Sequence, residues 1–456
     1  MDTTIGDELE ILTGDIITMD ERAPRARAFA HRGGRILAVG DLDDVKAICP
    51  RGTTERRAHG TVVPGFIDSH FYLQRGGLKA LDLFPEAQPS LERYQQRMAE
   101  TALDPDWNSP EPPTAADRRE GLRRVQPLLH ALGITGVVDP WATVETVRVY
   151  QQAHAAGELT MRVTAMPYFE GLRDHLVSPE SVITQLGGLG VGSGFGDDIL
   201  AFGAVKVYAD GEGKRQQALR ESPWPATGEL GIRAIEPDEL ERIALFCAQN
   251  GWALGVHAIG GGAMRMAIEV FERVDARIPL AELRFRLIHA YLEPAADVMA
   301  RAAHLGILVS TQPAIQWSNA VWLTEVLGPS AAESNPLRSW ADAGVTLALG
   351  SDGPYFPFDP LEVMRFARTR ESRGSTSPVG PAQRLTPTEA LAGYTAGSAI
   401  GALVDDRRGS LSAGKLADWV ELTVDPTTCT DDELATAHVL RTVVGGRVVY
   451  EAPDLH

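Results

Sequence analysis

The chain has 456 residues, 44% of them apolar, enough to bury one large core with a smaller one beside it. Its formal charge of −18 opposes binding to nucleic acid or to an anionic membrane surface. Cys49, Cys247 and Cys429 form no CxxC pair, the N-terminus is acidic where a leader needs basic and apolar regions, and no apolar run approaches the ~18 residues that span a bilayer, so a cytoplasmic protein is expected.

In chain order, LEILTGDIITMD and RARAFAHRGGRILAVGD over residues 8–40 alternate apolar and polar residues between glycine punctuation, which predicts short strands and tight turns. The middle of the chain alternates apolar runs with amphipathic stretches, the mark of βα units. Strands are expected at 62–68, 134–139, 161–166, 201–208, 252–257, 284–289, 306–310 and 345–350, with helices such as 237–250, 262–274 and 294–305 between them. Residues 90–113, rich in Pro and Asp, read as a long surface connection. KLADWVELTVDP and HVLRTVVGGRVVYE return to β pattern, and Gly445-Gly446 suits a two-residue hairpin turn. Eight βα strands make a (β/α)8 TIM barrel, residues 62–407. The β-rich ends, 1–61 and 408–456, make one small composite β-sandwich, for an α/β fold.

Polar residues recur at the C-terminal ends of the expected strands, where barrel enzymes build their sites. Strand one ends in Asp68-Ser69-His70-Phe71-Tyr72, strand four holds Lys206, strands five and six end in His257 and His289, and strand eight runs into Asp352. A single histidine after a strand is more often a packing residue, and a single aspartate a helix cap. Their conjunction at one barrel mouth is what points to a metal site. Lys206 lies in an apolar strand, where an ammonium is costly. It is either paired with Asp210 or Asp352, or carries carbon dioxide as a carbamate whose oxygens bind metal. Imidazole with carboxylate-type oxygen suits zinc, with iron or manganese as alternatives.

The strings VVPGFIDSH, VKVYADG, HAIGGGA, RFRLIHAYLEP, PLRSWADAGVTLALGSDGP and LTPTEALAGYTAGSAIGALVDDRRGSLSAGKLADWVELTVDP resemble the amidohydrolase superfamily, nearest its YtcJ-like branch with N-substituted formamide deformylases. The resemblance runs in order along nearly the whole chain. It implies a barrel with an appended β-sandwich, one metal position made by Lys206, His257 and His289, a neighbouring position that includes His70, and Asp352 as the residue that activates water. Two departures stand out. Relatives carry H-x-H after strand one, where this chain has His70-Phe71-Tyr72, and a phenol is a poor neutral ligand. One ion is therefore favoured over two, leaving His70 and Tyr72 for catalysis on the substrate. The long insert usual after strand one is largely missing, which alters the roof of the pocket.

The expected reaction is hydrolysis of a C–N bond in an amide, formamide or cyclic amide. A metal-activated water attacks, Asp352 moves its proton, and Tyr72 or His70 donates to the oxyanion. Trp141, Trp317, Trp322, Tyr355, Phe356 and Phe358 follow strands, so a small apolar or aromatic substrate is expected, and Arg215 beside Lys214 could hold a carboxylate. The only partner foreseen is that small molecule, with no nucleic acid and no membrane; a homodimer stays open. Two alternatives stand beside this: a non-hydrolytic metal enzyme such as a decarboxylase, and a metal-poor ligand-binding descendant.

Overall fold

A computed structural model of the chain describes residues 9–83, 93, 113–169, 172, 177–453 and 455. The expected connection at 90–113 lies almost wholly outside the described residues.

Both ends of the chain meet in one seven-stranded mixed sheet. It holds β1 (Glu10–Ile17), β2 (Arg25–Arg32), β3 (Arg35–Gly40), β4 (Thr54–Pro64), β14 (Trp419–Leu422), β15 (Val439–Val444) and β16 (Arg447–Glu451). The order is β16-β15-β14-β4-β1-β2-β3, so the junction between the termini is the antiparallel β14–β4 pair, Trp419 opposite Pro64. Two hairpins turn on double glycines, Gly33-Gly34 and Gly445-Gly446, all four at positive φ, which a side chain would oppose. Beneath the sheet Trp419 is buried, its ring edge-on to Phe29 at 6.3 Å.

The middle of the chain forms two parallel sheets, each strand followed by a helix or loop. One holds β5 (Phe66–Asp68), β6 (Ile134–Ala142), β7 (Arg162–Pro167) and β8 (Leu200–Phe202). The other runs β9 (Val205–Tyr208), β10 (Leu254–Ala258), β11 (Arg286–His289), β12 (Leu308–Thr311) and β13 (Leu347–Leu349). Most strands are buried along their whole length, as expected of parallel strands covered on both faces.

Two expected strands are divided. Residues 62–68 belong to two sheets. Val62 and Val63 complete β4 in the terminal sheet, and the chain breaks at Gly65, where a Cβ would lie 2.5 Å from the Thr135 side chain, before β5 begins. Residues 201–208 are cut at Gly203-Ala204. Upstream of the cut the strand pairs with β7, and downstream with β10; Gly203 N–H donates to the Ala165 carbonyl and Val205 N–H to the Ala253 carbonyl. The strand thus passes from one parallel sheet to the other. At the opposite edges Ser69 N–H donates to the Leu349 carbonyl at 3.1 Å. No helix among the described residues is long and apolar enough to cross a membrane.

Candidate active site

The C-terminal ends of the parallel strands and the loops beyond them surround a cavity of about 480 Å³. Tyr72, His257, His289 and Asp352 line it, while His70 and Lys206 are fully buried next to them. The His70 ring is 5.0 Å from the His289 ring, which is 4.5 Å from the His257 ring. His70 Nε2 lies 3.3 Å from Asp352 Oδ1, and Lys206 Nζ lies 4.9 Å from the Tyr208 ring centre. Side chains from five strands therefore gather at one end of the sheets.

A short network sets two of these groups. Asp68 accepts hydrogen bonds from His70 N–H, Ser351 N–H and Ser351 Oγ–H, and Asp352 N–H donates to the His70 carbonyl. The end of β5 and the loop after β13 are thereby tied across the sheet edges. The approach is so close that a Cβ on Gly350 would lie 2.7 Å from the His70 nitrogen. Asp352 and His289 themselves hold positive φ, 63° and 75°, conformations that cost a non-glycine residue about 1–3 kcal/mol and recur at functional sites.

Hydrogen bonding also sets a tautomer. The Gln312 amide donates from Nε2 to the Ser310 carbonyl at 3.2 Å, so its Oε1 faces His289 Nδ1 at 2.8 Å and must accept. His289 then carries its proton on Nδ1 and offers the Nε2 lone pair. A carbonyl or carboxylate behind a ligating histidine does the same in metal sites. Asp210 accepts the amides of Leu219, Ile259 and Gly260 and sits 3.6 Å from His257 Nε2.

Burial, then Lys206 and His289, push the His70 pKa well below the usual imidazole range. Burial and Lys206 bring His289 to about 3. Both rings are neutral at pH 7, the form that binds metal. Burial lifts Asp352 to about 7; Lys206 opposes this, and the charges of Asp68 and Glu212 reinforce it. Burial, aided by Tyr208 and Asp352, keeps Tyr72 a neutral phenol. Both ring nitrogens of His70 and Asp352 Oδ1 are buried without a hydrogen-bond partner, which costs about 1–3 kcal/mol per group unless something else satisfies them. Neutral imidazole lone pairs beside a carboxylate oxygen fit a divalent cation. Among the described residues no three His, Cys, Asp or Glu side chains already surround a metal-sized point.

Of the residues expected to contact substrate, Trp141, Tyr355 and Arg215 line the cavity. Trp141 packs on Tyr168 at 4.0 Å and is held by Asp139, which accepts its N–H. Arg215 is exposed at the mouth and pairs with Glu212 at 3.6 Å. Trp317 is not in the lining; it stacks on Phe366 at 4.9 Å and 14°. Its helix, Pro313–Leu327, turns Ile315 and Asn319 to the cavity, and two residues from Ile315 is about 200° around the axis. Sequence reasoning passed over Arg75, Tyr208, Tyr291 and Gln312. Tyr208 was accessible to it, since it lies two residues from Lys206 and shares its strand face.

Comparison with known proteins adds four findings. A family model described as "Amidohydrolase family" matches residues 91–450. The chain is 27% identical to "Protein LONG AFTER FAR-RED 3" of Arabidopsis thaliana, over 97% of this chain and 91% of that one. It is 28% identical to "N-substituted formamide deformylase" of Arthrobacter pascens, over 70% of this chain but only 58% of the relative. A crystal structure of an uncharacterized metal-dependent hydrolase from Pyrococcus horikoshii superposes with a TM-score of 0.75 at 22% identity, covering 93% of this chain and 99% of that one, and so shares the fold.

Proposed function

This chain belongs to the amidohydrolase family, and on that premise we propose that it is a metal-dependent hydrolase of non-peptide C–N bonds, in an amide, formamide or cyclic amide of a small apolar or aromatic molecule. The observation that carries the reading is the buried meeting of His70, His257, His289, Lys206 and Asp352 on the wall of an aromatic-lined cavity. The two parallel sheets are read as a single (β/α)8 barrel spanning 62–407. The Ser69–Leu349 bond and the Tyr168–Lys206 bridge support closure at the two seams. The terminal sheet is read as the core of a small β-sandwich domain drawn from 1–61 and 408–456, with β4 running on to Pro64.

Lys206, as its carbamate, His257 and His289 would hold one divalent ion, for which this ligand set favours zinc over iron or manganese. His70 belongs to an adjoining position that Tyr72 leaves short of a ligand. An ion held by Lys206, His257 and His289 would lower the pKa of a water from about 16 to about 7. The chain's own groups do the rest. Asp352 takes the proton of the attacking water on Oδ1 and passes it to the leaving nitrogen. Tyr72, kept protonated, donates from Oη to the developing oxyanion. Tyr291, Tyr355 and Phe356 give the cavity an aromatic wall.

The test is metal content and formamide hydrolysis measured together. Lys206→Ala and His257→Ala should each lose both; full turnover in the two variants would refute the assignment.

A further inference from the structure

We propose that Arg75 is an anion anchor and that the molecule hydrolysed here carries a carboxylate beside its apolar body. The inference rests on the hydrolase reading for the fate of the bound molecule, but not for its capture.

Arg75 is on the first turn of the helix Leu73–Leu83, half-buried, and lines the cavity. Its guanidinium carbon sits 4.4 Å from the Trp141 ring centre, 5.8 Å from that of Tyr72 and 5.9 Å from that of Tyr355. One donor, Nη1–H, bonds Tyr355 Oη. Among the described residues no Asp or Glu lies within ion-pair distance of it, and Asp139, whose oxygens accept Trp141 N–H and the Tyr150 hydroxyl, acts on it only at longer range. Arg215 meets Glu212, Arg220 meets Glu293, and Arg162 and Arg408 share Asp418, while the fully buried Arg286 and Arg370 spend their donors on backbone carbonyls, which, among the described residues, Arg75 does not.

A guanidinium has five N–H donors in one plane. Aromatic faces stabilise its charge but accept none of its in-plane hydrogen bonds. With one donor committed, the fork at the edge of Arg75 retains the geometry that a carboxylate accepts in two parallel bonds. Arg215, which by its sequence position could hold a carboxylate, is exposed, and its charge is already answered by Glu212. The anion site therefore falls inside the cavity, at Arg75. Tyr72, one of the rings touching Arg75, lies 5.5 Å from the His70 ring. One aromatic ring thus separates the anchor from the histidine cluster, so carboxylate and scissile bond belong to one small molecule. The class that fits is an aryl-alkyl amide with a carboxylate close to its C–N bond.

Two matched pairs of probes separate capture from turnover. Binding of 3-phenylpropionate and of 3-phenylpropanol is followed by tryptophan fluorescence, Trp141 being in contact with the guanidinium. The native enzyme should bind the anion at least tenfold more tightly; Arg75→Met should bring the ratio to about one, and Arg75→Lys, which keeps charge but loses the fork, to an intermediate value. Equal binding by the native enzyme, or a preference that survives Arg75→Met or vanishes instead in Arg215→Gln, overturns the proposal. Hydrolysis of N-formylphenylalanine against N-formyl-2-phenylethylamine should show the same ratio in kcat/KM. If the anion binds through Arg75 but neither formamide turns over, the anchor stands and the hydrolase reading for this substrate class falls.

Discussion

Two buried clusters of charged and polar groups sit at opposite ends of the same parallel strands, and they are built on opposite rules. At the N-terminal ends, Asp418 accepts Arg162 Nε–H at 2.6 Å, Arg162 Nη2–H at 2.8 Å and Gly445 N–H at 2.7 Å, with Arg408 Nε 2.9 Å away. Burial would raise the Asp418 pKa, but the two arginines hold it below the usual carboxylate range. Both carboxylate oxygens are answered, and the cluster ties the terminal sheet to β7. At the C-terminal ends, His70 and Asp352 keep unanswered polar atoms, His289 and Asp352 are among the non-glycine residues at positive φ, and Asp352 is lifted to about 7. Buried charge answered within the chain is a device of structure. Several polar atoms left unanswered at one cavity wall, on residues of positive φ, are what a site completed from outside the chain leaves behind.

The contrast is sharpest at the two aspartates. Asp352→Asn removes the proton carrier and should lower kcat by about 10²–10⁴-fold. It should leave thermal stability unchanged or slightly raised, because asparagine tolerates positive φ and carries no buried charge. Steady-state kinetics beside a melting curve measures both. A variant that melts early and keeps its rate would erase the distinction.

Asp418→Asn should do the reverse. It leaves Arg162 and Arg408 buried without their counter-charge and should cost about 3–5 kcal/mol in denaturant unfolding, with the metal content of the folded fraction unchanged. Loss of metal without loss of stability would contradict it.

The smallest effect is expected in the terminal sheet. Burial opposes ionisation of Glu10, but hydrogen bonds from His31 and Arg56 outweigh it and bring the carboxyl from 4.5 to about 2. A carboxyl depressed on folding stabilises above its unfolded value and loses that contribution as pH falls. Stability should therefore decline between about pH 4.5 and 2, by on the order of 1 kcal/mol since Arg56 is exposed. Glu10→Gln should flatten that part of the curve, and an unchanged acid limb would exclude Glu10 as its source.

Much of the candidate site was readable in advance for a simple reason. His70, Lys206, His257, His289 and Asp352 each interrupt or end an apolar run, and a polar group there needs an explanation that the run does not supply. The family motifs around them then suggested roles. Arg75 could not be read this way. An arginine in the first turn of a helix ordinarily faces water, and its three aromatic neighbours come from the helix's own lead-in, from the end of β6 and from the loop after β13. Gln312 was hidden likewise, because its meaning lies in a histidine 23 residues away.

What the sequence determined by itself was local: period-two strands, hairpins at Gly33-Gly34 and Gly445-Gly446, and which strand ends carry ionisable groups. These follow from φ preference and side-chain alternation, which are properties of neighbouring residues. Tertiary structure alone decided that 62–68 serves two sheets, that 201–208 passes from one parallel sheet to the other, that Trp317 turns away from the cavity, and that Arg75 turns in. Each of those outcomes is set by steric fit and desolvation among segments far apart in the chain, and no local pattern encodes them.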